Sequence, residues 1–429
     1  MISQKEYTKR RKKFAKKLED NSVAVLYSAK YKTRSNDTEY PFRQESNFYY
    51  LSGFREDNAA LVFVKSKGSA KTILFVQKKD ETLELWSGKR VGEIQAKTIF
   101  DVDEVYTSDM FEQKILELLK GKNMLYFDFA SKDERINNLK DKAKAIVSHK
   151  DIMSLIGYMR LIKSPSEIMM IQDALEITKK AHHEVMKLKK TGKKEYELQA
   201  EIEYIFKKNG AYSDAYTSIV ACANAANTLH YIENVASLVE GELILIDAGC
   251  ELEYYASDIT RTIPVNGKFS QAQKELYEMV LDVECEVIKM VKPGVKRSAL
   301  QAKAVKLLCK GMLKLGILKG SLENNIKKEK YKKYYPHGIG HWMGLDVHDQ
   351  CPYKYENGDE IPLMSGMVLT IEPGIYIDKD DKKVPKKYRG IGIRIEDDIL
   401  VTKDGHQNLS QGIVKSVKEI QRLKLSNNS

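Results

Sequence analysis

Four acidic residues sit where the sequence otherwise reads as strand. Asp247 lies in "LILIDAG", Asp258 in "ASDITRT", Glu372 in "VLTIEPG" and Glu396 in "GIRIEDDIL". Each interrupts an apolar run in which Val or Ile would suit a strand better. One such acid reads most simply as a residue facing water. Four in the same half of a chain are harder to read that way, because burying an ionised carboxylate unpaired costs several kcal/mol or more. If the four converge, their repulsion must be cancelled by protons or by cations.

A nitrogen donor is at hand in "PHGIGHWMGLDVHD". It carries His337, His341 and His348, three of the eight histidines in the protein. His337 and His341 have the spacing of the zinc pair in HExxH, but Gly338, Gly340 and Gly344 argue against a helix. An extended or turning segment is expected, whose histidines need not bind one ion together. Any one of them alone reads as a satisfied core or surface histidine; the cluster turns that reading around. Four carboxylates, one imidazole and no thiolate form a hard, oxygen-rich donor set. It suits Mn2+, with Co2+, Fe2+ or Zn2+ as alternatives. Four carboxylates exceed the need of one divalent ion, whereas two ions about 3.5–4 Å apart, bridged by shared carboxylates, fit the count and the charge. The reaction class implied is metal-assisted hydrolysis.

The elements that must position these residues belong to a chain of 429 residues, long enough for two or three domains. Its 42% hydrophobic and 31% charged residues fit a soluble globular protein. No apolar run approaches the roughly 20 residues of a membrane helix. The first residues, "MISQKEYTKRRKKFAKKLED", are basic but lack the apolar core of a signal peptide and read as an amphipathic helix, so the cytoplasm is the expected compartment. The five cysteines (Cys222, Cys250, Cys285, Cys309 and Cys351) are odd in number and form no CxxC, which suggests neither a disulfide framework nor a zinc–thiolate site. The net charge of +11 is spread along the chain with local runs such as "KKEKYKKYY" and no nucleic-acid-binding motif. A lysine-rich solvated surface accounts for it, and neither nucleic acid nor a membrane is expected as a partner.

Up to about residue 155, short runs rich in β-branched and aromatic residues ("SVAVLYSA", "ALVFVKS", "TILFVQ", "MLYFDFA") alternate with polar helical stretches such as "DMFEQKILELLKG". That is the grammar of an α/β domain. At "RLIKSPSEIMMIQDALEI" the grammar changes: Ser164 is a good N-cap, Pro165 suits the first helical position and Glu167 completes a capping box. A long helix starts there, and the boundary falls just before it, giving domains 1–160 and 161–429. In the second, helices over 164–188 and 194–209 precede a strand-rich block over 217–266. Helices over 270–291 and 297–315 follow, and the last stretch is mostly strands with Gly/Pro turns. Strands and helices in separate runs argue for α+β.

The order Asp247, Asp258, His341, Glu372, Glu396, with a spacing of eleven between the first two and with "HGIGHWMGLDVHD", "TIEPGIY" and "GIRIEDD" around the others, resembles the pita-bread metallopeptidases. That family includes methionine aminopeptidase, prolidase and aminopeptidase P. The resemblance covers nearly the whole chain. "RSNDTEYPFRQESNFYYLSGF" near the N-terminus looks like the corresponding segment of bacterial-type Xaa-Pro aminopeptidases, in a creatinase-like domain that a methionine aminopeptidase would lack; a plain hairpin with packed aromatics would not explain the similarity along the segment. The resemblance implies cleavage of the N-terminal Xaa-Pro bond of peptides with proline second. It implies two divalent ions, most suitably Mn2+, held by Asp247, Asp258, His341, Glu372 and Glu396. Asp258 and Glu396 would bridge, and Glu372 would also shuttle the proton. By the same resemblance His348 would hydrogen-bond the scissile carbonyl or stabilise the tetrahedral oxyanion, His230 and His337 would lie along the peptide, and Tyr216 and Tyr376 would line the site. The tyrosines could equally be core packing. Arg394, two residues before Glu396, would pair with a ligand carboxylate; a structural surface arginine is the alternative. Asp37 and Trp86 match positions suspected of reaching a neighbouring active site, against the readings of a turn aspartate and a buried tryptophan. The N-terminal domain would restrict the entrance and build a homodimer or homotetramer. Rival readings are a prolidase confined to dipeptides, a non-catalytic peptide-binding relative, against which the full ligand set argues, and a metal-free creatinase-type amidinohydrolase.

Overall fold

The computed structural model describes residues 1–146 and 148–425; residues 147 and 426–429, which fall within the two expected domains, lie outside the described residues. The chain divides into two compact units, Met1–Arg160 and Leu161–Ser429.

The first unit is built on a six-stranded mixed sheet in the order Glu104–Thr107, Ser69–Val76, Ala60–Ser66, Ser22–Tyr27, Met124–Phe127, Ser148–Asp151. Ser22–Tyr27 runs parallel to Met124–Phe127 and antiparallel to Ala60–Ser66. Every residue of Ser22–Tyr27 is buried, as a strand covered on both faces requires. On one face Val23, Val25, Phe75 and Leu125 pack with Ile115, Leu119, Ile136 and Leu139 from helices Phe111–Leu119 and Glu134–Lys142. On the other, Phe14 of helix Gln4–Lys17 meets Phe63 edge-on, with ring centroids 4.8 Å apart. This first helix also turns two of its charges inward: Arg11 donates to the Leu51 carbonyl at 2.9 Å and Arg10 to that of Tyr50 at 3.3 Å.

The second unit is α+β. The expected capping box of Ser164 and Glu167 is present and opens helix Pro165–Lys187, which packs on Glu195–Lys208; Gln271–Ile288 packs on Arg297–Lys314. The sheets are antiparallel. Strand Leu243–Asp247, apolar until its last residue, lies between Ile219–Cys222 and Thr260–Pro264, with Asp247 opposite both Ile219 and Thr260. Val368–Ile371 pairs with Asp397–Val401, and Gly374–Ile377 with Ile391–Arg394. No helix among the described residues is long and apolar enough to cross a membrane.

Candidate metal centre

The strand-like runs deliver their acids to one place, but mostly from just beyond the strands. Asp247 is the last residue of Leu243–Asp247. Asp258 precedes Thr260–Pro264, Glu372 follows Val368–Ile371, and Glu396 sits in the step between Ile391–Arg394 and Asp397–Val401. There the backbone still finds partners, so the side chains can turn inward: Glu396 N–H donates to the Thr260 carbonyl at 3.1 Å and Glu372 N–H to that of Ile339 at 2.9 Å. The histidine-bearing segment is not helical, as its glycines imply. It lies against the Glu372 strand, with Thr370 N–H donating to the His341 carbonyl at 2.9 Å. A Cβ at Gly340 would stand 1.9 Å from the Thr370 carbonyl oxygen, so only glycine permits this approach.

Asp258, His341 and Glu396 each bring a ligand atom within 4.8 Å of the others'. His341 Nε2 is 3.3 Å from Asp258 Oδ2 and 3.7 Å from Glu372 Oε1. Its Nδ1 is 3.1 Å from the Trp342 carbonyl. A proton on Nδ1 would occupy that bond and leave the Nε2 lone pair aimed at the acids, the usual arrangement for a metal-ligating histidine. The Tyr216 hydroxyl is 2.6 Å from Oδ1 of both Asp247 and Asp258. Arg394 donates from Nη2 to Asp247 Oδ2 at 2.6 Å and from Nε to Thr260 Oγ1 at 3.0 Å, and the Thr260 hydroxyl donates in turn to Glu396 Oε2 at 2.7 Å. Arg394 is therefore the buried partner of a candidate ligand and not a surface arginine.

The charges do not balance within the protein. Burial drives the Glu396 carboxyl well above the ordinary range, and Asp258, Glu372 and Asp247 add to the rise against Arg394. Burial lifts Glu372 to about 7, with His341 and Arg394 opposing. Burial also raises Asp247, Arg394 opposing. His341 is pulled down by burial, yet Asp258 and Glu372 hold it up at about 9. A site with one guanidinium against four carboxylates must hold protons or cations. Its carboxylate oxygens, and an imidazole nitrogen oriented by a carbonyl, fit divalent ions.

These groups line a cavity of about 240 Å³ together with His230, His337, His348 and Tyr216. His337 Nε2 is 2.8 Å from the Tyr376 hydroxyl, which accepts from Arg394 Nη1 at 3.0 Å. Burial, then Arg394, lowers His337 to about 4. Tyr376 thus both packs, in a cluster with Ile219 and Leu245, and carries a polar relay. The His348 ring is 4.3 Å from that of His341. Asp37 and Trp86 belong to the other unit. Asp37 occupies the turn of hairpin Thr33–Ser35/Thr38–Glu39, as the turn reading has it. Trp86 is 84% exposed, which overturns the reading of a buried tryptophan: helix Glu81–Ser87 buries only Glu84. Two polar partners were not singled out from sequence. Thr260 bridges Arg394 and Glu396, and Asp398 accepts the Asp258 N–H at 3.1 Å. Only their place within "ASDITRT" and "EDD" hinted at them.

A creatinase-like α/β unit followed in the chain by a pita-bread unit that gathers acids and histidines in one cavity defines a two-domain metal-dependent hydrolase. Residues 169–403 match metallopeptidase family M24, and residues 7–126 match the N-terminal domain of aminopeptidase P. The chain is 39% identical to the Xaa-Pro aminopeptidase of Escherichia coli (strain K12), covering 98% of both chains. It is 38% identical to human Xaa-Pro aminopeptidase 3, over 98% of this chain and 86% of that protein. The zinc-substituted E. coli aminopeptidase P in complex with product superimposes with a TM-score of 0.96 at 38% identity, over 100% of this chain and 99% of that one. The chain belongs to metallopeptidase family M24.

Proposed function

We propose that the protein is an aminopeptidase that hydrolyses the N-terminal Xaa-Pro bond of peptides, with two divalent ions, preferentially manganese, held by Asp247, Asp258, His341, Glu372 and Glu396. The observation that carries this reading is the convergence of four acids and His341 on one cavity, in a chain similar over its full length to Xaa-Pro aminopeptidases. When bound, such ions supply hydroxide near neutral pH and polarise the scissile carbonyl.

The protein's own groups do the rest. Glu372 takes the proton from the attacking water and returns it to the departing proline nitrogen. His348 donates to the carbonyl oxygen as negative charge develops there. His230 and His337 lie along the peptide. With Tyr216 and His348, His230 builds a ring-lined surface for proline, whose acylated nitrogen has no N–H to offer. Arg394 and Tyr376 hold Asp247 and His337 in place. The N-terminal unit restricts the entrance in a homodimer or homotetramer, with Asp37 and Trp86 reaching a neighbouring site; the exposure of both side chains supports this.

The test is hydrolysis of Arg-Pro-Pro-type tripeptides and of Ala-Pro after chelation and return of single metals, beside Glu372→Gln. The expected outcome is loss on chelation, best recovery with Mn2+, cleavage of the tripeptide, and a roughly 100-fold or greater fall in kcat for the variant. Hydrolysis confined to Ala-Pro would make the protein a prolidase. A manganese-loaded protein inert on both peptides would make it a binding module.

A further inference from the structure

Lys163 sits one residue before the Ser164 cap of helix Pro165–Lys187, and its side chain is 1% exposed. Its ammonium bonds Oδ2 of Asp349, also 1% exposed, at 2.9 Å. The lysine backbone is fixed in its turn: its N–H donates to the Gly366 carbonyl at 2.8 Å, and the capping box fixes the turn that follows. On the other side, Asp349 N–H donates to the Trp342 carbonyl at 2.9 Å and closes the loop between them. The Cys351 thiol is 3.2 Å from the same Asp349 oxygen. A Cβ at Gly344 would stand 2.7 Å from Asp349 Oδ2 and 3.0 Å from Lys163 Cε, so the loop passes directly over the ion pair.

Two charges taken this far out of water gain little net stability, because desolvation offsets their attraction. The pair is better explained by what it fixes. Asp349 directly follows His348, which is exposed, lines the cavity and has its ring 4.3 Å from His341. A solvent-facing loop histidine can act on a substrate only if its backbone is held. We propose that Lys163 is a positioning residue that, through Asp349, holds His348 in register with the scissile carbonyl; the proposal rests on the role given to His348 above.

The test is a double-mutant cycle on an Xaa-Pro tripeptide with metal-loaded protein: wild type, Lys163→Met, His348→Ala and the double variant, with metal content and circular dichroism measured for each. His348→Ala is expected to lower kcat/KM by about 100-fold. Lys163→Met is expected to lower it by roughly 10-fold in the native background. In the His348→Ala background the same change should cost less than about 2-fold, because groups that act as a unit are not additive. Metal content should stay constant. Equal losses in both backgrounds, or loss of metal from Lys163→Met, would overturn the proposal and leave the pair a general support. If His348→Ala leaves kcat/KM unchanged, the role of His348 itself is refuted and the proposal falls with it, a result distinct from equal losses. Should Lys163→Met not fold, Asp349→Asn, which keeps the side chain's size and removes its charge, carries the same cycle.

Discussion

Arg394 is a buried cation that bonds the candidate ligand Asp247 directly. Removing one member of a buried ion pair leaves the other charge uncompensated, at a cost of about 3–5 kcal/mol. Metal ions would supply the missing charge. Arg394→Met should therefore destabilise the chelated protein by roughly that amount and the metal-loaded protein by clearly less, as read by thermal unfolding with and without chelator. An equal loss in both states would mean that Asp247 does not share its charge with a metal. A second residue reports on pH. His182 is 1% exposed, with Nε2 3.0 Å from the Ala248 carbonyl, and burial lowers it to about 3. The unfolded chain takes up this proton near pH 6.5, whereas the folded chain does not until about pH 3. The stability tied to His182 is thus complete above about pH 6.5 and is lost as pH falls towards 3, amounting to on the order of 2–3 kcal/mol by pH 4.5. His182→Gln keeps a donor for the carbonyl and removes the titration. Its unfolding free energy should fall less steeply than that of the wild type between pH 7 and 4.5, and parallel curves would refute the assignment.

The contact of the histidine segment with the Glu372 strand depends on Gly340. A methyl group there would meet the Thr370 carbonyl at 1.9 Å, with backbone on both sides and no flexible side chain to yield. Gly340→Ala should destabilise the protein by roughly 1–3 kcal/mol or more. It should also weaken metal binding in titration calorimetry, because it parts His341 from Asp258 and Glu372; unchanged metal affinity would show that the strand contact does not set the site. Elements like these were legible to very different degrees. Strand Ala60–Ser66 matches the apolar run "ALVFVKS" residue for residue, with β-branched and aromatic Val62, Phe63 and Val64 at its centre. Helix Pro165–Lys187 starts where its capping box says. Helices Glu81–Ser87 and Gly92–Ile99 leave no mark in the sequence, since Leu83, Leu85, Trp86 and Ile94 face solvent and draw no apolar stripe. The ligand acids showed themselves by breaking apolar runs. Asp398, Thr260 and the Lys163–Asp349 pair did not, because their partners lie far off in the chain and only the fold brings them together.

At the scale of the whole molecule, a chain of net charge +11 keeps an anionic cluster inside its second unit. Long-range attraction to the cationic surface is screened over about 8–10 Å at ordinary ionic strength, so it cannot replace charge inside the cavity. Metal binding should then be a large term in the stability of that unit. An ion at 100 times its Kd, bound by the folded state alone, contributes about 2.7 kcal/mol, and a second adds to it. The ligands must shed protons to bind, so the contribution grows as pH rises. Calorimetric unfolding of chelated and Mn2+-loaded protein should show a higher Tm with metal, by at least about 3 °C at pH 8 and by distinctly less at pH 5.5. Two transitions would locate the effect, since the metal-dependent one belongs to Leu161–Ser429 and the other to Met1–Arg160. A Tm that ignores metal at both pH values would mean that the four carboxylates are neutralised by protons alone, and a metal-dependent hydrolase could not be built on them.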